Sequence, residues 1–334
     1  MPEGLVVPDT RSSKLRAALL GAARVLITGA SFFLLVTRVD FHHAISLLHK
    51  MSKVYFISAI LVMLVAVMVG TVRWHFILAA QRQSPGVIAL LKLAFTGLFF
   101  NQFLPSGIGG DAVRAWRCRD FGVELPIAIR SVVLDRISGY VVLVALFAVT
   151  LPTLLRTMPG LQEREFIVAL FAASSALMVA CGAADLLPTF FKRIPGFGAI
   201  ALLSRDARQL FDCPVRVSSI LGLSTTAIIL TTLGCMLVGQ GLGAELSFGS
   251  WLMIIAPITV MQLMPVTLAG WGVREIGLVS VLPVFGTSAE AALAISILIG
   301  LVMVAAALPG AVIWLTGFDR AGTRTKMAGK AGLR

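Results

Sequence analysis

Phe103-Leu104-Pro105-Ser106-Gly107-Ile108-Gly109-Gly110-Asp111-Ala112-Val113-Arg114 is the stretch whose reading decides the architecture. It closes the interval 93–110, which holds no Asp, Glu, Lys or Arg and approaches the roughly 20 apolar residues of a membrane-crossing helix. Proline and clustered glycine within an apolar run argue against one continuous helix. Irregular backbone at membrane depth is tolerated only where protein or a wet cavity surrounds it, so this segment reads as a broken, re-entrant hairpin over about 86–117.

The rest of the chain repeats the apolar theme. Intervals 54–72, 137–155, 166–184, 217–244, 246–273 and 291–318 are also free of formal charge, and Ala17–Thr37 is interrupted only by Arg24. The interval 246–273 contains Pro265 followed by Gly270-Trp271-Gly272, which predicts a second broken hairpin over about 250–286 by the same reasoning. Of the 334 residues 58% are hydrophobic and 13% charged, against about 25% charged in soluble proteins, which excludes an ordinary soluble enzyme. The net charge of +12 sits between apolar runs, so the polyanion expected as a partner is an anionic lipid surface and not nucleic acid. Cys118, Cys181, Cys213 and Cys235 form no C-x-x-C pair, so neither a disulfide framework nor a metal site is expected, and no cofactor.

Charge bias sets the topology. With full spans near 17–37, 54–72, 137–155, 166–184, 217–242 and 291–316, and both hairpins returning to the side they came from, 21 of the 28 Lys and Arg fall on the cytoplasmic side and 5 outside. Making 86–105 a full span would throw the arginines between 114 and 136 outside. The expected fold is therefore an all-α polytopic membrane protein with about six transmembrane helices and two oppositely entering hairpins. Its parts are a cytoplasmic tail 1–16, one membrane domain 17–318 with a cytoplasmic linker 185–216, and a basic cytoplasmic tail 319–334. Paired interrupted segments of this kind point to an inverted-repeat transporter, here on topology alone.

Two constellations carry the expected chemistry. In the first, Asp111 begins a helix and Arg114 follows at the i,i+3 spacing that puts both on one face. Helix-start amides at Gly109 and Gly110 together with Arg114 make an anion site suited to a lipid phosphate. Asp111 has three open roles: capping the helix, pairing with Arg114, or binding an amine head group. In the second, Arg274 and Glu275 follow Gly272 and are the only charges between Glu245 and Glu290, which places both in a protein-lined, hydrated cavity. Adjacent residues face different ways on a helix, so each is expected to pair elsewhere, Arg274 with Asp111 and Glu275 with Arg114. Asp135-Arg136 reads as an interfacial pair, with Arg136 a candidate for a basic ring at the cavity mouth. Arg73-Trp74-His75 reads as an interfacial anchor.

The two constellations resemble the transmembrane, flippase-like region of bacterial lysylphosphatidylglycerol synthases, the multiple peptide resistance factor family. Its first signature, approximately N-x-x-L-P-G-G-x-G-G-D-x-x-R, is matched by Asn101, Leu104, Pro105, Gly107, Gly109, Gly110, Asp111 and Arg114, with Ser106 in place of one glycine. The second, approximately P-x-x-x-G-G-x-G-x-R-E, is matched by Pro265, Gly270, Gly272, Arg274 and Glu275, with Ala269 in place of a glycine. The resemblance implies that these residues, Leu104 apart, contact a membrane phospholipid or related polar lipid; Arg136 joins them as the basic ring at the cavity mouth, and with no nucleophile and base pair in the chain no catalytic residue is expected. It also implies a bacterial inner-membrane protein, and the charge bias puts both termini on the cytoplasmic side. Lysylating members carry a further soluble aminoacyl-transfer domain, whereas only a short basic tail follows Thr316 here, so the lipid-handling half alone is expected.

The leading expectation is a lipid translocase. A membrane transferase acting on a lipid-linked substrate, and an accessory subunit of a lipid, isoprenoid or hopanoid biosynthesis complex, are the competing classes. A homo-oligomer or a lipid-biosynthesis enzyme is the open partner class.

Overall fold

The computed structural model describes residues 46–47, 50–103, 109–158, 160–182, 197–211, 213–263 and 272–317, and among these the chain is helical, with no strand. The helices are α1 (Lys53–Ala80), α2 (Val87–Phe103), α3 (Gly109–Cys118), α4 (Leu125–Thr157), α5 (Leu161–Gly182), α6 (Phe197–Phe211), α7 (Pro214–Gly241), α8 (Phe248–Leu263), α9 (Val273–Val281) and α10 (Ala289–Thr316). Helix starts follow local chemistry. Pro126 and Pro214 stand in first turns, where a missing N–H has no partner to lose. Ser288 Oγ caps α10 by accepting from the Ala291 amide at 3.2 Å.

Among the described residues four helices, α1, α4, α7 and α10, are long and apolar enough to cross a membrane. They carry the spans expected at 54–72, 137–155, 217–242 and 291–316. Helix α5 covers 166–182 of the span expected at 166–184 and begins earlier, through a charged first turn. The shorter apolar helices α2 and α8 are each followed, after the proline-glycine segment, by a short second helix, α3 or α9. The chain is thus an all-α polytopic membrane protein. The expected span 17–37 and both expected tails lie outside the described residues. The segment expected as a cytoplasmic linker holds α6, tied to α4 by an Arg130 Nε–Asp206 Oδ2 contact of 2.6 Å.

Between helices in lipid the hydrophobic effect has little to act on, so close backbone approach and polar contacts decide packing. Helices α1 and α7 run antiparallel: Met51 lies beside Gly241, Met63 beside Gly234, and Arg73 bonds Ser224. Gly310 of α10 rests on the Phe95 carbonyl of α2, where any side chain would overlap the backbone. One core joins α7 to α10 around the fully buried Trp251, which packs against Gly239, with Ile254, Leu278, Leu282 and Ile299. A second gathers Trp74 and Leu78 of α1, Leu90 and Leu93 of α2, Ala115 and Cys118 of α3, and Ala128 and Val132 of α4. This second core fixes four helices around the first charged constellation.

Candidate functional site

Helix α3 folds back along α2. The turn itself, with Leu104, Pro105, Ser106, Gly107 and Ile108, lies outside the described residues, but both arms are defined. The Cα of Gly110 faces the carbonyl of Gly97 so closely that a Cβ would overlap it, and the Gly110 amide donates to Asn101 Oδ1 at 2.8 Å. Asn101 therefore satisfies one of the orphan donors at the start of α3 from across the hairpin. The sequence placed that amide in an anion site, whereas the structure gives it to a side chain of the chain itself.

The charged residues that follow join three helices. Asp111 accepts a two-point contact from Arg136 of α4, Nε to Oδ2 at 2.8 Å and Nη2 to Oδ1 at 3.1 Å. Arg114 Nε lies 3.2 Å from Asp111 Oδ1, and Arg114 Nη2 donates to Asp135 Oδ2 at 3.0 Å. Asp135 also accepts from Arg73 Nε of α1 at 2.8 Å, and Arg73 Nη1 reaches Ser224 of α7 at 3.1 Å. The order is Arg73, Asp135, Arg114, Asp111, Arg136, so each carboxylate lies between two guanidinium groups. Alternation of sign is what makes burying these charges tolerable, because each one taken from water lies against a charge of opposite sign. Arg73 lies about 10 Å in from the C-terminal end of α1, within the bundle and not at its rim.

Exposure differs along this chain. The side chains of Asp111, Arg114 and Asp135 are 10% exposed or less, while that of Arg136 is 49% exposed. Arg136 is the member that an arriving molecule reaches first. Beside the cluster, Arg117 pairs with Asp120 at 2.8 Å and lies 5.1 Å from the ring centre of Trp314, holding α3 to the end of α10.

The second constellation is closed. Gly272 has φ +93°, a conformation suited to glycine alone, and its amide donates to Glu275 Oε2 at 2.6 Å. Glu275 Oε1 accepts from Arg274 Nη2 at 2.6 Å and from Ser296 Oγ at 3.1 Å. Glu275 is wholly buried and Arg274 nearly so. Pro265 and Gly270 lie outside the described residues.

The expected pairing across the hairpins is corrected. Arg274 bonds Glu275, its neighbour in sequence, and Asp111 and Arg114 are ion-paired with each other and bond α4. The physical reason is the helix start: Glu275 turns back to cap α9, which brings its carboxylate within reach of the folded Arg274 side chain. Asn101, Gly110, Asp111, Arg114 and Arg136 therefore share one cluster, with Gly109 at the start of α3, and Gly272, Arg274 and Glu275 form another. The expectation also missed Arg73 and Asp135 as members. Their signal in the sequence is that apolar residues continue past Arg73 through Phe76-Ile77-Leu78, so the arginine lies inside its helix and must find a partner there.

The family described as "Lysylphosphatidylglycerol synthase TM region" matches residues 21–310. The chain belongs to that family and is an integral membrane protein of a lipid-related kind. It is also similar to a "UPF0104 membrane protein" of Methanothermobacter thermautotrophicus, 32% identical over 72 residues, covering 21% of this chain and 20% of that protein. The chain thus aligns with only a fifth of that relative.

Proposed function

We propose that this protein is a flippase-like lipid translocase, moving a phospholipid or related polar lipid between the leaflets of a bacterial inner membrane, with both termini cytoplasmic. The observation that carries the reading is the five-membered charge cluster joining α1, α3 and α4. Ionisable groups inside membrane-spanning helices are expensive and mark pathways for polar cargo. This cluster combines that cost with one half-exposed arginine, the group suited to a lipid phosphate because its planar fork makes two contacts at once. Membership of a family named for lipid synthesis supports a lipid as the cargo. The closed Gly272–Arg274–Glu275 group is assigned a different job, holding the start of α9.

Purified protein in vesicles carrying a fluorescent phosphatidylglycerol, with outer-leaflet fluorescence quenched over time, tests the proposal. Protein-dependent loss of protection that Arg136→Ala abolishes is the expected result. Unchanged protection, with a new lipid product by mass spectrometry, would instead support the transferase class.

A further inference from the structure

Three guanidinium groups in the cluster share two carboxylates, so among the described residues it is one negative charge short. The shortfall lies at the accessible end. Arg136 is the terminal member and is half exposed, and Asp111 occupies the Nε–Nη2 edge of its guanidinium, at 2.8 Å and 3.1 Å. A phosphate diester offers the same pair of oxygens and one negative charge. Leaving Arg136 does not strand Asp111, because Arg114 Nε remains 3.2 Å from its Oδ1. Arg114 in turn keeps its bond to Asp135.

We infer that Asp111 is a built-in stand-in for phosphate: it holds the two-point face of Arg136 until the phosphate of a lipid displaces it, whereupon Asp111 falls back on Arg114. The inference rests on the translocase reading and adds how the same site takes and releases its ligand. Exchange of one anion for another keeps every arginine paired throughout, avoiding the unpaired buried charge that a simple opening would create. A resident competitor also weakens apparent binding by the fraction of time that it occupies the site. Weak binding of this sort favours release on the far side.

The test compares phosphatidylglycerol, inorganic phosphate and diacylglycerol as ligands for the full chain in detergent. Asp111→Asn is expected to tighten phosphatidylglycerol binding about tenfold, the factor for a site that the carboxylate leaves open roughly a tenth of the time. Arg136→Ala placed on Asp111→Asn is expected to erase the gain. Diacylglycerol is expected to show no gain, and a gain for inorganic phosphate alone would overturn the lipid as the source. Equal or weaker phosphatidylglycerol binding by folded Asp111→Asn overturns the exchange. Should Asp111→Asn not fold, modification of Asp111 in the parent protein by a hydrophobic carbodiimide, read by peptide mass spectrometry, decides the matter. Labelling that rises with phosphatidylglycerol supports displacement, and labelling that falls or stays constant overturns it. Leaflet transport is measured separately, so vesicle transport that persists without tightened binding removes the exchange and leaves the translocase reading standing.

Discussion

The Arg114 guanidinium carbon lies 4.8 Å from the centre of the Trp74 ring, and the indole N–H of Trp74 is turned away to donate to Ser131 Oγ at 3.0 Å. One ring thus steadies the arginine by its face and α4 by its edge. Trp74→Phe keeps a face and loses the edge bond, whereas Trp74→Leu loses both. The cation–ring contact is worth about 0.5–2 kcal/mol, so Trp74→Leu is expected to melt lower in detergent than Trp74→Phe, with both below the parent. Equal melting of the two variants would show that the ring face contributes nothing.

Gly110→Ala places a methyl against the Gly97 carbonyl and the Asn101 side chain. Overpacking of this kind costs about 1–3 kcal/mol, and backbone on one side leaves little room to relax. Asn101→Ala, which strips the Gly110 amide of its acceptor, is expected to cost about 1 kcal/mol. Denaturation in mild detergent should rank Gly110→Ala as the more damaging change.

Asp135→Asn leaves Arg73 and Arg114 facing a neutral side chain in a buried place. Removing one member of a buried pair costs about 3–5 kcal/mol, and a sharp loss of folded yield is the expected outcome. Arg73→Leu together with Asp135→Asn is expected to recover part of that loss, since the two are in direct contact and their effects do not add. A strictly additive double variant would show that the 2.8 Å contact carries no coupling.

Glu275→Gln is expected to lose folded protein and not merely transport. The sequence alone placed Glu275 in a hydrated cavity, where such a change spares the fold. In the structure it accepts from Gly272, Arg274 and Ser296 with no exposure. Retention of full thermal stability in Glu275→Gln would return Glu275 to the cavity.

Topology is tested by labelling introduced cysteines from outside the cell. Thiols at Lys50 and Gly160 are expected to react, and thiols at Arg119 and Arg216 to be protected. The reverse pattern would invert the proposed orientation.

Much of this architecture is legible in the chain because lipid imposes a length rule. The runs 54–72 and 291–318 announce α1 and α10 by the absence of charge alone, and Gly109-Gly110-Asp111 announces a new helix start after a break. The Asp111–Arg114 contact was legible for the same local reason, one helical turn of separation. Partners of α4 were not. Arg73 and Asp135 are 62 residues apart, and only the packing of Trp74, Leu90, Ala115 and Val132 into one core brings them together. Arg274 with Glu275 was missed in the opposite way: regular helix geometry separates neighbours, but the first turn of α9 is a place where a side chain bends back to the backbone.

The Gly97–Gly110 contact has a mechanical consequence. Two backbones seated on one another without side chains between them cannot slide, since each small displacement meets a carbonyl or a peptide edge. The α2–α3 hairpin is therefore one stiff unit. Its boundary with α4 is of another kind, made of guanidinium and carboxylate groups on long stems that can hand over partners while the helices shift. In the proposed translocase the hinge line belongs along that boundary, where Asp111 and Arg136 meet, and the fixed frame where glycine meets glycine.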